Sequence, residues 1–363
     1  MSSLEIIKNI LDSARWAPSG DNTQPWRFEI IDSHRVVVHG FDTREHCVYD
    51  LDGHPSQIAI GALLETAAIA ASRYGLRLTA NRRCESPENQ PLFDLEFNAD
   101  PTIQPDPLFD SIESRSVQRR PLKMRALTVA EQRALEGSVG ANYNVTWLMS
   151  LSARARTAKM LFHSAKIRLI MPEAYRVHKE IIKWNSQFST ERVPDQALGT
   201  DPLTTRFMHF VMQSWERVEF FNRFFAGTWA PRLQLDFVPG LACAAHFLLL
   251  AKCPARTIDD YVAAGRAVQR FWLTATHLGL QLQPEVTPLV FTRYARKKIE
   301  FSQTPGMSAM ANQLVRRFTA LVGQRASENV VFMGRVGAGR QPTARSLRRP
   351  LETLMAAKPK KSL

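Results

Sequence analysis

Cysteine is scarce: Cys47, Cys84, Cys243 and Cys253 are the only four in 363 residues. None has C-x-x-C spacing, and no histidine pair lies near one at zinc-site spacing. A disulfide framework or a structural zinc is therefore not expected. Reduced, mostly buried thiols are the simpler reading, and with them a cytoplasmic location. A signal pattern is missing too, because Glu5 and Lys8 interrupt the first apolar residues. No apolar run is long enough to cross a bilayer; the longest, Leu241 to Ala251, contains His246. The nucleophile elbow G-x-S-x-G, the zinc-protease H-E-x-x-H and the P-loop are all absent. Gly337-Ala338-Gly339 starts like a dinucleotide loop, lacks a third glycine at the right place and reads as a turn. Acidic residues are in short supply, 34 against 47 basic ones, for a formal charge of +13. That favours anionic partners without choosing among phosphorylated cofactors, acidic substrates, nucleic acid and membrane surfaces. With no basic stripe interleaved with exposed aromatics, neither nucleic acid nor membrane is expected as a partner.

What is present is an ordinary globular balance, 45% hydrophobic and 22% charged, over a length that suits one large domain or two smaller ones. Helical spacing predicts a helix over 3–16, with Ser2 and Glu5 as a capping box, stopped by Pro18. A hairpin follows over 26–31 and 35–39, then an apolar helix over 56–74 ended by Gly75. Strands are predicted at 76–81 and 92–98, and the three prolines of 100–107 mark a linker. Beyond it, a helix starting at 108–114 is expected to run into Arg115-Ser116-Val117-Gln118-Arg119-Arg120-Pro121. Then come a helix over 128–138, a strand over 144–149, and helix over 153–186 interrupted near Pro172. A loop over 188–202 precedes an aromatic-rich helix over 203–226. Apolar helices are predicted over 241–251 and 257–278, strands at 281–283 and 289–292, a helix at 309–321 and a strand at 330–336. The spacing Gly61…Gly75-Leu76-Arg77-Leu78 recurs as Gly265…Gly279-Leu280-Gln281-Leu282, a weak internal repeat that suggests two similar halves.

Two basic clusters stand out: Arg115, Arg119 and Arg120, and Arg345, Arg348 and Arg349. A guanidinium grips phosphate through two parallel hydrogen bonds, so each is a candidate phosphate clamp; either alone is more often a solvated surface. The aromatics from Phe207 to Trp229 fit core packing, or a lid, since Arg206, Glu216, Arg217 and Arg223 make that stretch amphipathic.

The segment Ala14-Arg15-Trp16-Ala17-Pro18-Ser19-Gly20-Asp21-Asn22-Thr23-Gln24-Pro25-Trp26-Arg27-Phe28 resembles the A-R-x-A-P-S-x-x-N-x-Q-P-W-x-F pattern of the FMN-dependent nitroreductase superfamily. Residues 112–121 resemble that family's arginine-rich phosphate motif. Residues 265–284 resemble its late helix and the strand edge beside the flavin. Arg335-Val336-Gly337 with Arg348-Arg349-Pro350-Leu351 resembles its C-terminal phosphate-binding end. The loop precedes the arginine motif, and each occurs once. That order resembles the tandem branch, in which one chain imitates the usual homodimer.

The resemblance implies an α+β, nitroreductase-like three-layer α/β/α fold with two pseudo-repeated halves, their antiparallel sheets covered by helices. The halves are expected at 1–100 and 108–355, with a lid insertion at 188–240 and a basic tail at 356–363. It implies one FMN per chain, with Pro18, Ser19, Gly20 and Asn22 along the ring or ribityl chain and Gln24 close by, Arg115, Arg119 and Arg348 on the phosphate with Arg349 and Arg345 as further candidates, and the Gln283–Pro284 backbone facing the ring. It also implies hydride transfer between that flavin and NAD(P)H or a small organic substrate, in a monomer of pseudo-dimer architecture or a further homodimer. A lidded flavin-binding protein with little turnover is the alternative. No metal is implied, and no catalytic side chain can be named.

Overall fold

The computed structural model of the chain describes residues 3–225 and 227–356. The basic tail from 357 onward and the Ser2 half of the expected capping box lie outside them. The first half builds α1 (Ser3–Ala14), the hairpin β1 (Trp26–Ile30) and β2 (Arg35–Gly40), α2 (His54–Ser72), β3 (Leu76–Arg82) and β4 (Leu92–Ala99). The second builds α3 (Val129–Ser138), β5 (Tyr143–Leu148), α4 (Leu151–Leu169), α5 (Pro172–Ile181), α6 (Pro202–Val211) and α7 (Trp215–Phe224). It continues through β6 (Ala245–Ala251), α8 (Ile258–His277), β7 (Leu280–Pro284), α9 (Thr287–Lys297), α10 (Met307–Val322) and β8 (Val330–Ala338).

The two four-stranded sheets have the same wiring. The first runs β1-β2-β4-β3 and the second β5-β6-β8-β7, with every pair antiparallel. In each, one helix precedes the first strand (α1, α3) and another links the second strand to the third (α2, α8). Each linking helix stops at a left-handed glycine, Gly75 at φ 64° and Gly279 at φ 71°, where a side chain would be strained. The second half differs by insertions at 149–244 and 285–329.

Alternation in β1, β2 and β4 sends Trp26, Phe28, Val36, Val38, Phe93, Leu95 and Phe97 onto α1 and α2, and turns Arg27, Glu29, Arg35 and Glu96 outward. The second sheet is covered on both faces. Phe247, Leu249, Phe332 and Val336 pack toward α3 and α8, while Leu248 and Met333 pack toward α4, α9 and α10. The α/β/α sandwich thus surrounds the second sheet, and the first is covered on one face. Between the sheets α2 crosses α8 at Gly61 and Gly265. A β-carbon on Gly61 would lie 2.0 Å from the Val262 carbonyl oxygen, and one on Gly265 would lie 2.1 Å from that of Ile58.

Four expectations need correction. Residues 241–251 are not a helix: Ala245–Ala251 is the interior strand β6, buried on both faces, so it shows an unbroken apolar run instead of alternation. Residues 289–292 are not a strand but lie inside α9, which Pro288 opens in its first turn. Residues 108–121 hold only the turn Pro107–Ser111 and then extend along β7, where Val117 bridges Leu282 and Gln118 N donates to Leu282 O. The aromatic helix 203–226 is two helices, α6 and α7, the second capped by Ser214.

The close crossing predicts that Gly265→Ala lowers stability by about 3 kcal/mol. Gly137→Ala, at a helical site with open space, should raise it by up to about 1 kcal/mol. Denaturant unfolding of both variants checks this.

Candidate functional site

Pro18 cannot continue α1, and the chain turns through Gly20–Asn22 before β1. Asp21, Asn22 and Gln24 hold left-handed φ values of 51°, 63° and 50°, which non-glycine residues keep only when their surroundings enforce it. Ser19 Oγ accepts from Gln24 N at 3.0 Å. The Asn22 amide donates to Thr190 O and Leu347 O, both at 3.2 Å, and its Oδ1 accepts from Arg348 Nη1 at 2.9 Å. Gln24 Nε2 donates to Thr190 O, and its Oε1 accepts from Arg349 N, both at 2.9 Å. Asn22 and Gln24 therefore tie three segments together: the loop, 188–193 and 345–349. Pro18 and Ser19 are half-buried and Gly20 is exposed.

Next to this knot the two basic clusters meet. Arg115 donates to Trp16 O at 2.8 Å and stacks over Trp272 at 4.7 Å. Arg348 Nε donates to Ala17 O at 2.9 Å. Arg345 donates to Glu113 O at 2.6 Å and stacks over Trp16 at 5.3 Å. Among the described residues none of the three is hydrogen-bonded to a carboxylate, and the Nε atoms of Arg115 and Arg345 are buried without a partner there. Burial, reinforced by Arg348 and Arg345, pushes the Arg115 guanidinium far down. Burial with Arg345 and Arg15 pushes Arg348 to about 9. Burial lowers Arg345 as well, against the pull of Glu113. Arginines this buried and this poorly neutralised call for an anion rich in acceptors. Of the predicted set, Arg120 is exposed and Arg349 points to Glu191 at 3.5 Å, outside this cluster.

Arg119 lies four residues beyond Arg115 on an extended segment, so the two are at most about 14 Å apart. It opens a second compartment, a cleft of about 130 Å³ lined by Arg119, Arg168, Asp236, Gln283, Pro284 and Arg335 among others. Arg119 donates to Ala197 O at 3.0 Å and is pushed by burial to about 10, with Asp21 opposing and Arg335 and Arg168 adding. Arg168 pairs with Asp236 at 2.9 Å. Gln283 Oε1 is buried with no partner. Burial raises the Asp21 carboxyl although Arg119 and Arg168 draw it down. One loop of the first half thus meets a cluster of poorly neutralised arginines and a charged cleft on the edge of the second sheet.

Sequence reasoning missed Arg168, Asp236 and Glu285 as cleft groups and Asp21 as a charge acting on them. A signal exists only for Arg168, a cation on the helix face that carries the small, buried Ser164 and Ala165. Among the described residues no group of three or more His, Cys, Asp or Glu could hold a metal ion. No described helix is long and apolar enough to cross a membrane.

Three solved structures are similar to the chain over nearly all of their own length. A nitroreductase-like family protein from Bacillus cereus is 12% identical over 69% of this chain and 96% of its own, with a TM-score of 0.35. An FMN-dependent nitroreductase from Mycobacterium smegmatis, in complex with NADPH, is 14% identical over 69% and 96%, at 0.36. An iodotyrosine deiodinase bound to FMN and 3-iodo-L-tyrosine is 12% identical over 67% and 95%, at 0.35. No protein-family model and no curated protein matches. At such identities and TM-scores, function has to be read from the chain's own residues.

Removing the Asn22 side chain strips the knot of its central hydrogen bonds. Asn22→Ala should cost about 2 kcal/mol and, by loosening 188–193, speed tryptic cleavage after the exposed Arg192; unchanged stability and cleavage rate would contradict that role.

Proposed function

We propose that the chain is an FMN-dependent oxidoreductase with a small organic substrate, binding one FMN through both of its halves, 1–100 and 108–355. The observation that carries this is the meeting of Arg115, Arg345 and Arg348, bonded only to carbonyls and Asn22, beside a loop with the nitroreductase-like A-P-S-x-x-N pattern. A phosphate monoester supplies the acceptors that these buried cations lack.

In this reading Arg115, Arg345 and Arg348 hold the phosphate, and Pro18, Ser19 and Gly20 border the ribityl chain. Asn22, Gln24 and the Arg349 backbone fix the loop. Arg119, Gln283 and Pro284 face the ring, and the partnerless Gln283 Oε1 is free to accept from it. When bound, FMN supplies hydride acceptance and donation. The protein's own work is to bind, to orient and to place cations around the cleft. NADH or NADPH is the proposed donor.

The purified protein is expected to be yellow, with its flavin bleached by NADH or NADPH in anaerobic stopped flow. The double variant Arg115→Ala, Arg348→Ala should keep its fold by circular dichroism and lose FMN by at least about a hundredfold in affinity, two charge-assisted contacts being removed. Unchanged flavin occupancy in that variant would refute the phosphate assignment.

A further inference from the structure

One wall of the cleft carries a chain of charges that runs inward to His246. His246, in β6, is fully buried, and Glu285, just after β7, and Arg335, in β8, are buried. His246 Nδ1 bonds Glu285 Oε2 at 2.7 Å, and its Nε2 bonds the Gly240 carbonyl oxygen at 2.7 Å. Glu285 Oε1 accepts from Arg335 Nη1 at 2.8 Å. Arg335 Nη2 donates in turn to Arg119 O at 2.7 Å, and Arg335 Nε is buried with no partner.

A carbonyl oxygen only accepts, so Nε2 carries a proton. Nδ1 and Glu285 Oε2 share a second proton, and the Arg335 guanidinium on Oε1 favours the carboxylate, which leaves that proton on Nδ1 and makes His246 an imidazolium. Burial opposes that charge, but Glu285, aided by the nearby Cys243, outweighs it and raises the group to about 10. His246 and Arg335 draw the Glu285 carboxyl down against its burial. One carboxylate therefore faces two cations, and a surplus positive charge sits under the Gln283–Pro284 wall. Elsewhere in the cleft Arg168 is matched by Asp236, and the Arg119 guanidinium, which donates to Ala197 O, is opposed by Asp21.

We infer that His246, through Glu285 and Arg335, is a positioning residue that makes the cleft favour the anionic, reduced form of its flavin over the neutral oxidised form. Electrostatic preference of this kind is strong because the charges are buried and already oriented. The inference rests on the proposed FMN site, but the charge on His246 does not.

Two measurements separate them. Nitrogen-15 NMR of the flavin-free protein should show both His246 ring nitrogens protonated from neutral pH to beyond pH 9; a neutral imidazole there overturns the inference whatever the protein binds. Titrations of the FMN-loaded protein then give the flavin midpoint potential. His246→Gln removes the charge and keeps a donor. It should lower the ratio of reduced-form to oxidised-form affinity about tenfold, a potential shift of about −30 mV for two electrons. An unchanged potential in His246→Gln overturns the inference with the FMN site intact, whereas wild-type protein that takes up no FMN overturns the proposed function instead. If His246→Gln does not fold, His246→Asn serves in the same comparison.

Discussion

The architecture hangs on the crossing of α2 and α8. Two glycines meet there because any side chain would collide with the backbone of the opposing helix. That contact brings the helix layers of the two sheets together, with Ile258 and Val262 of α8 entering the core beneath the first sheet and Ile58 of α2 packing against the core of the second. Packing at interior density turns this into a fixed orientation. Once it is fixed, the loop after α1 has one place to go. It meets the segment along β7 on one side and the residues after β8 on the other.

A cost follows from that placement. Arg115 and Arg348 are 3% and 8% exposed, with Arg345 beside them, and each is only partly compensated by carbonyls and indole faces. Three left-handed non-glycine residues add backbone strain in the same loop. Uncompensated charge and strain gathered at one spot are what a preorganised ligand site looks like. Helix packing and the 188–193 strap repay them structurally; a bound phosphate would repay them electrostatically. The chain's excess of basic residues acts in the same direction over longer range.

Much of this was legible in the sequence. The glycines at 61, 75, 265 and 279 announced two helices of matching length and stop, because each position tolerates glycine for a definite steric reason. The loop pattern at 14–28 pointed to the region that now carries the knot. What stayed hidden was decided by burial and by contact between distant segments. β6 has no alternation because helices cover both its faces. The segment 115–120 reads as helical by composition, yet it extends because β7 offers an edge to pair with. The pairs Arg168–Asp236 and Glu285–Arg335 join residues 68 and 50 positions apart, beyond the reach of any local pattern. Asn22 and Gln24 were read as ligand contacts, but their side chains are taken up in binding the protein to itself.

The most direct measurement is calorimetric titration of flavin-free protein with FMN and, separately, with riboflavin, which shares the ring and ribityl chain but lacks the phosphate. One FMN per chain is expected, bound at least about a hundredfold more tightly than riboflavin, or about 2.7 kcal/mol. Equal affinity for the two, or no binding of FMN, would contradict a phosphate clamp built from Arg115, Arg345 and Arg348.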